Sequence, residues 1–123
     1  MSGYTLSGIV LDAPNPRALA AFYRELLGWT IKTDEDTWVT LVGPDGGAKL
    51  SFQLEPVYMP PAWPSRTDAP QMQAHLDIRV DDLEAAGVRA VAAGAVLAGF
   101  QPQENVRVYL DPVGHPFCLF TAD

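Results

Sequence analysis

The chain has 123 residues, 48% of them apolar, and eight Lys and Arg against fifteen Asp and Glu leave a formal charge of −7. A chain of this size makes one domain around a single core, burying about two-thirds of the surface it exposes when unfolded. Its acidity argues against nucleic-acid backbones and anionic membranes as partners. No apolar run is long enough to span a bilayer, and Met1-Ser2-Gly3-Tyr4 has neither a basic region nor a hydrophobic leader. The single cysteine, Cys118, excludes an internal disulfide or a multi-cysteine zinc site, so a cytoplasmic protein is expected.

In chain order, Ile9-Val10-Leu11 predicts a strand, and Leu19, Phe22, Tyr23, Leu26 and Leu27 follow with the spacing of an amphipathic helix. Asn15 suits the N-cap, Pro16 the first helical position and Gly28 the left-handed residue beyond the last turn. Trp29-Thr30-Ile31, a charged turn at Asp34-Glu35-Asp36, Trp38 to Val42, a turn at Gly43 to Gly47 and Leu50 to Leu54 then read as three strands. Five prolines between Glu55 and Pro70 deny that segment a continuous helix or central strand. The pattern then restarts: His75 to Val80 alternates, Asp81-Asp82 caps an alanine-rich helix from Leu83 to Ala93, and Gly94 closes it. Ala95-Val96-Leu97, Val106 to Leu110 and Pro116 to Phe120 supply three more strands.

An offset of 67 residues superimposes the two halves, setting Asn15 on Asp82, Val39 and Leu41 on Val106 and Val108, Gly47 on Gly114, and Ser51 on Cys118. The expected organisation is one α+β domain over residues 1–123, with module one at 4–55, a proline-rich linker at 56–70 and module two at 71–121. Each module reads β-α-β-β-β. Strand alternation assigns Ile9, Leu11, Val39, Leu41, Leu50 and Phe52 to the helix side, and likewise Leu76, Ile78, Val80, Val106, Val108, Phe117 and Leu119. The other face then carries Gly8, Val10, Trp38, Thr40, Ser51 and Gln53 in the first half, and His75, Asp77, Arg107, Tyr109, Cys118 and Phe120 in the second. Such a mixture suits a partly polar cleft better than bare solvent or a plain core. The two modules are therefore expected to form a curved mixed sheet around a cleft, helices outside. Trp63, in the proline-rich segment, is a candidate lid over that cleft or a seal on a dimer interface.

The runs Ala20 to Trp29, His75 to Ile78 with Val80 to Ala86, and Asp111-Pro112-Val113-Gly114-His115-Pro116-Phe117-Cys118-Leu119 resemble the vicinal oxygen chelate superfamily. The likeness covers essentially the whole chain and is greatest to small glyoxalase-like members. It implies the paired-module fold and a function among isomerases, lyases, dioxygenases, thiol transferases and non-catalytic binders. It also implies metal ligands on the first and fourth strands of each module, positions that match Gly8, Ser51, His75 and Cys118. Gly8 has no side chain and Ser51 is a poor neutral ligand, which leaves His75 and Cys118, with Gln53, Asp77 or a water to complete a sphere. No cofactor is expected; a divalent metal, if one binds, falls to His75 and Cys118.

Each candidate also has a structural reading. His75 is either a cavity-lining histidine bonded to Asp77 or a carbonyl, or a general base and ligand anchor; Cys118 is an inert buried thiol or a nucleophile. His115 is expected in an exposed or capping role after Gly114. Two functions remain open. One is a metal-independent binder of a small organic molecule, of the resistance or sequestration type, and the other is a lyase, isomerase or dioxygenase using His75 as base or metal ligand. A homodimer is expected in either case.

Overall fold

A computed structural model of the chain describes residues 2–121, which fall into two compact units that meet at Tyr58 and Met59 in the chain. The first unit runs β1 (Gly8–Ala13), α1 (Pro16–Leu27), β2 (Thr30–Glu35), β3 (Trp38–Val42) and β4 (Lys49–Leu54). The second runs β5 (Leu76–Arg79), α2 (Leu83–Ala93), β6 (Val96–Leu97), β7 (Val106–Leu110) and β8 (Pro116–Phe120). Each unit forms a four-stranded mixed sheet of the same topology, β1-β4-β3-β2 and β5-β8-β7-β6. The outer pair is parallel in both, β1 with β4 and β5 with β8. The two β-α-β-β-β modules read from the sequence are therefore present, and the fold is α+β.

The helices begin and end where their caps dictate. Asn15 accepts from the Ala18 N–H at 3.2 Å with Pro16 next in the chain, and Gly28, at φ 70°, sends its N–H back to the Arg24 carbonyl at 2.8 Å. Asp82 caps α2 in the same way, accepting from the Ala85 N–H at 3.0 Å. On the first sheet, α1 places Leu19, Phe22 and Tyr23 over Val39, Leu41, Leu50 and Phe52, all buried. Tyr23 stacks on Phe52 with centroids 5.6 Å apart, and Phe22 meets Tyr23 edge-on at 4.8 Å. Burying each of these large side chains contributes about 1.5–3 kcal/mol. In contrast, α2 buries only Gly87 and Ala90 and turns Val88 and Val91 to the outside.

Two details differ from the sequence reading. Asp34 and Glu35 are strand residues, not a turn, because Asp34 pairs with Val39 and Glu35 with Trp38. Arg17 on α1 holds this end of β2, bonding Asp34 at 2.7 Å and also pairing with Asp36. The segment between Leu54 and Leu76 has no helix or strand, as its prolines demand, but from Met59 onward it packs with the second unit. Ala62 donates to the Pro70 carbonyl at 2.8 Å, and the Trp63 indole N–H donates to the Phe100 carbonyl at 3.1 Å.

Candidate functional site

In the first unit, register confirms the alternation read from the sequence. Trp38 lies opposite Gln53 and Thr40 opposite Ser51, on the face away from α1, with Val10 beside Ser51 and Asp12 beside Gln53. The Trp38 indole N–H donates to Thr40 Oγ1 at 2.8 Å, and Thr40 Oγ1 lies 2.9 Å from Ser51 Oγ. Both hydroxyl residues are buried, so this chain satisfies groups that would otherwise be costly to desolvate. Gln53 is exposed and donates to Asp12 Oδ1 at 2.8 Å. Asp12 was not singled out by the sequence reading, although it continues the alternation from Val10.

In the second unit the parallel pairing of β5 with β8 sets Asp77 beside Cys118 and Arg79 beside Phe120. His75 sits just before β5, its Nε2 3.0 Å from Asp77 Oδ1. One donor atom each from His75, Asp77 and Cys118 lies within 4.8 Å of the others. Burial pushes the Cys118 thiol pKa up, and the Asp77 carboxylate, which also accepts a hydrogen bond from the thiol, adds to the shift. At neutral pH the sulfur is therefore a protonated donor to Asp77. Arg79, two residues beyond Asp77, shares this face and was missed, although the same alternation marks it.

Arg107 and Tyr109 do not join this group. Tyr109 pairs with Phe117 and Arg107 with Leu119, so both lie on the helix side, while Val106 and Val108 share the face of Cys118 and Phe120. The assignment is inverted from the one the offset of 67 implied. The connection from Tyr109 to Phe117 is one residue shorter than that from Leu41 to Leu50, and with a period of two a single residue turns every side chain of β7 over. Trp63 is half-buried against Phe100, its ring centroid 5.8 Å away. His115, expected in an exposed or capping role, is bonded within the β7–β8 turn, where its Nδ1 donates to Asp111 Oδ2 at 2.8 Å.

Gly8 occupies the first-strand position from which a ligand was sought in module one. A Cβ there would lie 2.9 Å from the Lys49 carbonyl oxygen, so the close approach of β1 and β4 excludes any side chain without backbone movement.

A family model for the glyoxalase-like domain matches residues 8–120, nearly the whole chain. The chain belongs to the glyoxalase-like domain family. Among solved structures, this glyoxalase-like chain is similar to a glyoxalase/bleomycin resistance protein/dioxygenase family enzyme from Burkholderia phytofirmans PsJN. The TM-score is 0.74 at 17% identity, covering 98% of this chain and 100% of that one. A glyoxalase-related enzyme from Fulvimarina pelagi gives 0.68 at 20% identity over 95% and 87% of the two chains. A glyoxalase family protein from Enterococcus faecalis gives 0.69 at 18% identity over 98% and 99%. These likenesses establish the fold, consistent with the vicinal oxygen chelate superfamily. No curated protein matches the chain. Among the described residues, no helix is long and apolar enough to cross a membrane.

Proposed function

We propose that this glyoxalase-like protein binds a small organic molecule against the helix-free faces of its sheets, in the manner of a sequestering or resistance protein, without a complete metal site. The observation that carries the reading is the make-up of the donor set, in which, among the described residues, only His75, Asp77 and Cys118 come together. These three donors all come from the second module, whereas the matching positions of the first module are Gly8, which has no side chain and no room for one, and Ser51, a neutral hydroxyl bonded to Thr40. The Trp38, Thr40 and Ser51 chain on the other sheet contains only an indole and two hydroxyls, neutral groups that suit a polar organic ligand and hold metals poorly. The ligand positions that the fold family implies are therefore filled by metal donors in the second module and not in the first, which supports the metal-independent reading. A single cysteine kept as a thiol also goes with a reducing, cytoplasmic setting.

One observation favours a second reading, in which the protein is a lyase or isomerase. The Asp77 carboxylate lies 3.0 Å from His75 Nε2, which leaves Nδ1 to take a proton from a bound substrate. Native mass spectrometry of untagged protein, purified without added metal or chelator, distinguishes the two, followed by a thermal-shift screen of the same sample with and without EDTA. A metal-free protein whose ligand binding survives EDTA and shows no turnover is expected. A stoichiometric metal that disappears in His75→Ala overturns the binder, as does turnover abolished by His75→Ala in a folded protein.

A further inference from the structure

The helix side of the second sheet holds a cavity that the function proposed above does not use. It lies between α2 and strands β6 and β7 and measures about 630 Å³, within the range of small-molecule sites. Leu83, Val88, Val91 and Leu97 supply an apolar wall, and the last three are each more than half exposed, although no polar group needs them there. Two polar side chains interrupt this wall, Tyr109 and Arg107, with Glu84 at the start of α2.

Tyr109 is only 6% exposed, and its ring stacks on Phe117 with centroids 5.9 Å apart. Its hydroxyl reaches α2 at Gly87, where any Cβ would overlap it. Glycine weakens a helix interior, so its place at the centre of α2 is explained by the room it leaves for this hydroxyl. Among the described residues no buried side-chain polar atom is left unpaired, and this hydroxyl, which bonds none of them, is the polar end that Tyr109 presents to the cavity. Arg107 is held from one side, Nη1 donating to the carbonyls of Gln103, Glu104 and Val106. Those contacts fix the guanidinium without neutralising its charge.

We propose that this cavity is a second ligand site, taking a small, largely apolar monocarboxylate. Its chain lies along Val88, Val91 and Leu97, and its carboxylate accepts from the Tyr109 hydroxyl and faces Arg107. One guanidinium opposed by Glu84 suits a single negative charge and disfavours a phosphate dianion.

The test is an NMR titration of the isotope-labelled full chain with sodium octanoate and, separately, with octanol. Octanoate is expected to give saturable shifts centred on Leu83, Gly87, Leu97 and Tyr109, with octanol weaker. Tyr109→Phe keeps the stacked ring and should weaken octanoate about fivefold, the loss of one hydrogen bond. Leu97→Glu, at an exposed position, should weaken it further without disturbing the fold. Shifts that never saturate, shifts centred on His75 and Cys118, or affinity unchanged by Tyr109→Phe would each overturn the site. Sedimentation showing a dimer that Leu97→Glu converts to monomer would assign the apolar wall to a second copy of the chain, and that too would overturn it.

Discussion

Asp111 joins β7 to β8, and its side chain is completely buried. Oδ1 accepts from the backbone N–H of Val113 at 3.0 Å and of His115 at 2.9 Å, while Oδ2 accepts from His115 Nδ1 at 2.8 Å. Its own backbone N–H and carbonyl close the turn, bonding the His115 carbonyl and the Gly114 N–H at 2.9 Å each. Asp111→Ala leaves the backbone turn possible but deprives three donors of their acceptor. A hydrogen bond to a charged group contributes about 1.5–3 kcal/mol. The three share one carboxylate whose own desolvation opposes them, and we work with a net loss of about 3 kcal/mol. At about 4 °C per kcal/mol for a domain of this size, the melting temperature should fall by roughly 12 °C. Asp111→Asn retains an acceptor for the two backbone donors and should lose about half as much. Thermal melts followed by circular dichroism measure both variants. If Asp111→Ala melts within a few degrees of the parent, or Asp111→Asn falls as far as Asp111→Ala, the turn is not held by this carboxylate and the reasoning fails.

Two further outcomes follow from the same geometry. Burial, and after it the Asp77 carboxylate, holds the Cys118 pKa up and so keeps the reactive thiolate scarce. Asp77→Asn should therefore raise the iodoacetamide alkylation rate at mildly alkaline pH by about threefold, and an unchanged rate would leave burial as the sole cause. Asn15→Ala removes the acceptor for the Ala18 N–H and should cost about 1 kcal/mol, read as a fall of about 4 °C in the melting temperature. A loss too small to measure would show that packing of α1 alone sets its first turn.

The helices were legible because their determinants are local. Asn15, Pro16 and Gly28 bound α1, and Asp82 and Gly94 bound α2, by contacts that reach no further than four residues along the chain. The open face of the first sheet was legible too, since Trp38, Thr40, Ser51 and Gln53 follow strict alternation. The second sheet was harder. Asp77 meets Cys118 through parallel pairing of strands far apart in the chain, so their spacing in sequence carries no trace of that contact. Trp63, read as a lid or an interface residue, meets Phe100, a contact between residues far apart in the chain that their order does not show.

What the amino-acid order determined by itself was therefore the set of elements, their repetition as two β-α-β-β-β modules and the family to which the chain belongs. Only the tertiary structure decided which face of β7 points where. The Asp111 turn is one residue shorter than its counterpart in the first module, and this carries Tyr109 and Arg107 to the helix side and brings Val106 and Val108 to the face of Cys118. Side-chain direction in a strand has a period of two, whereas hairpin register depends on how a turn closes in space.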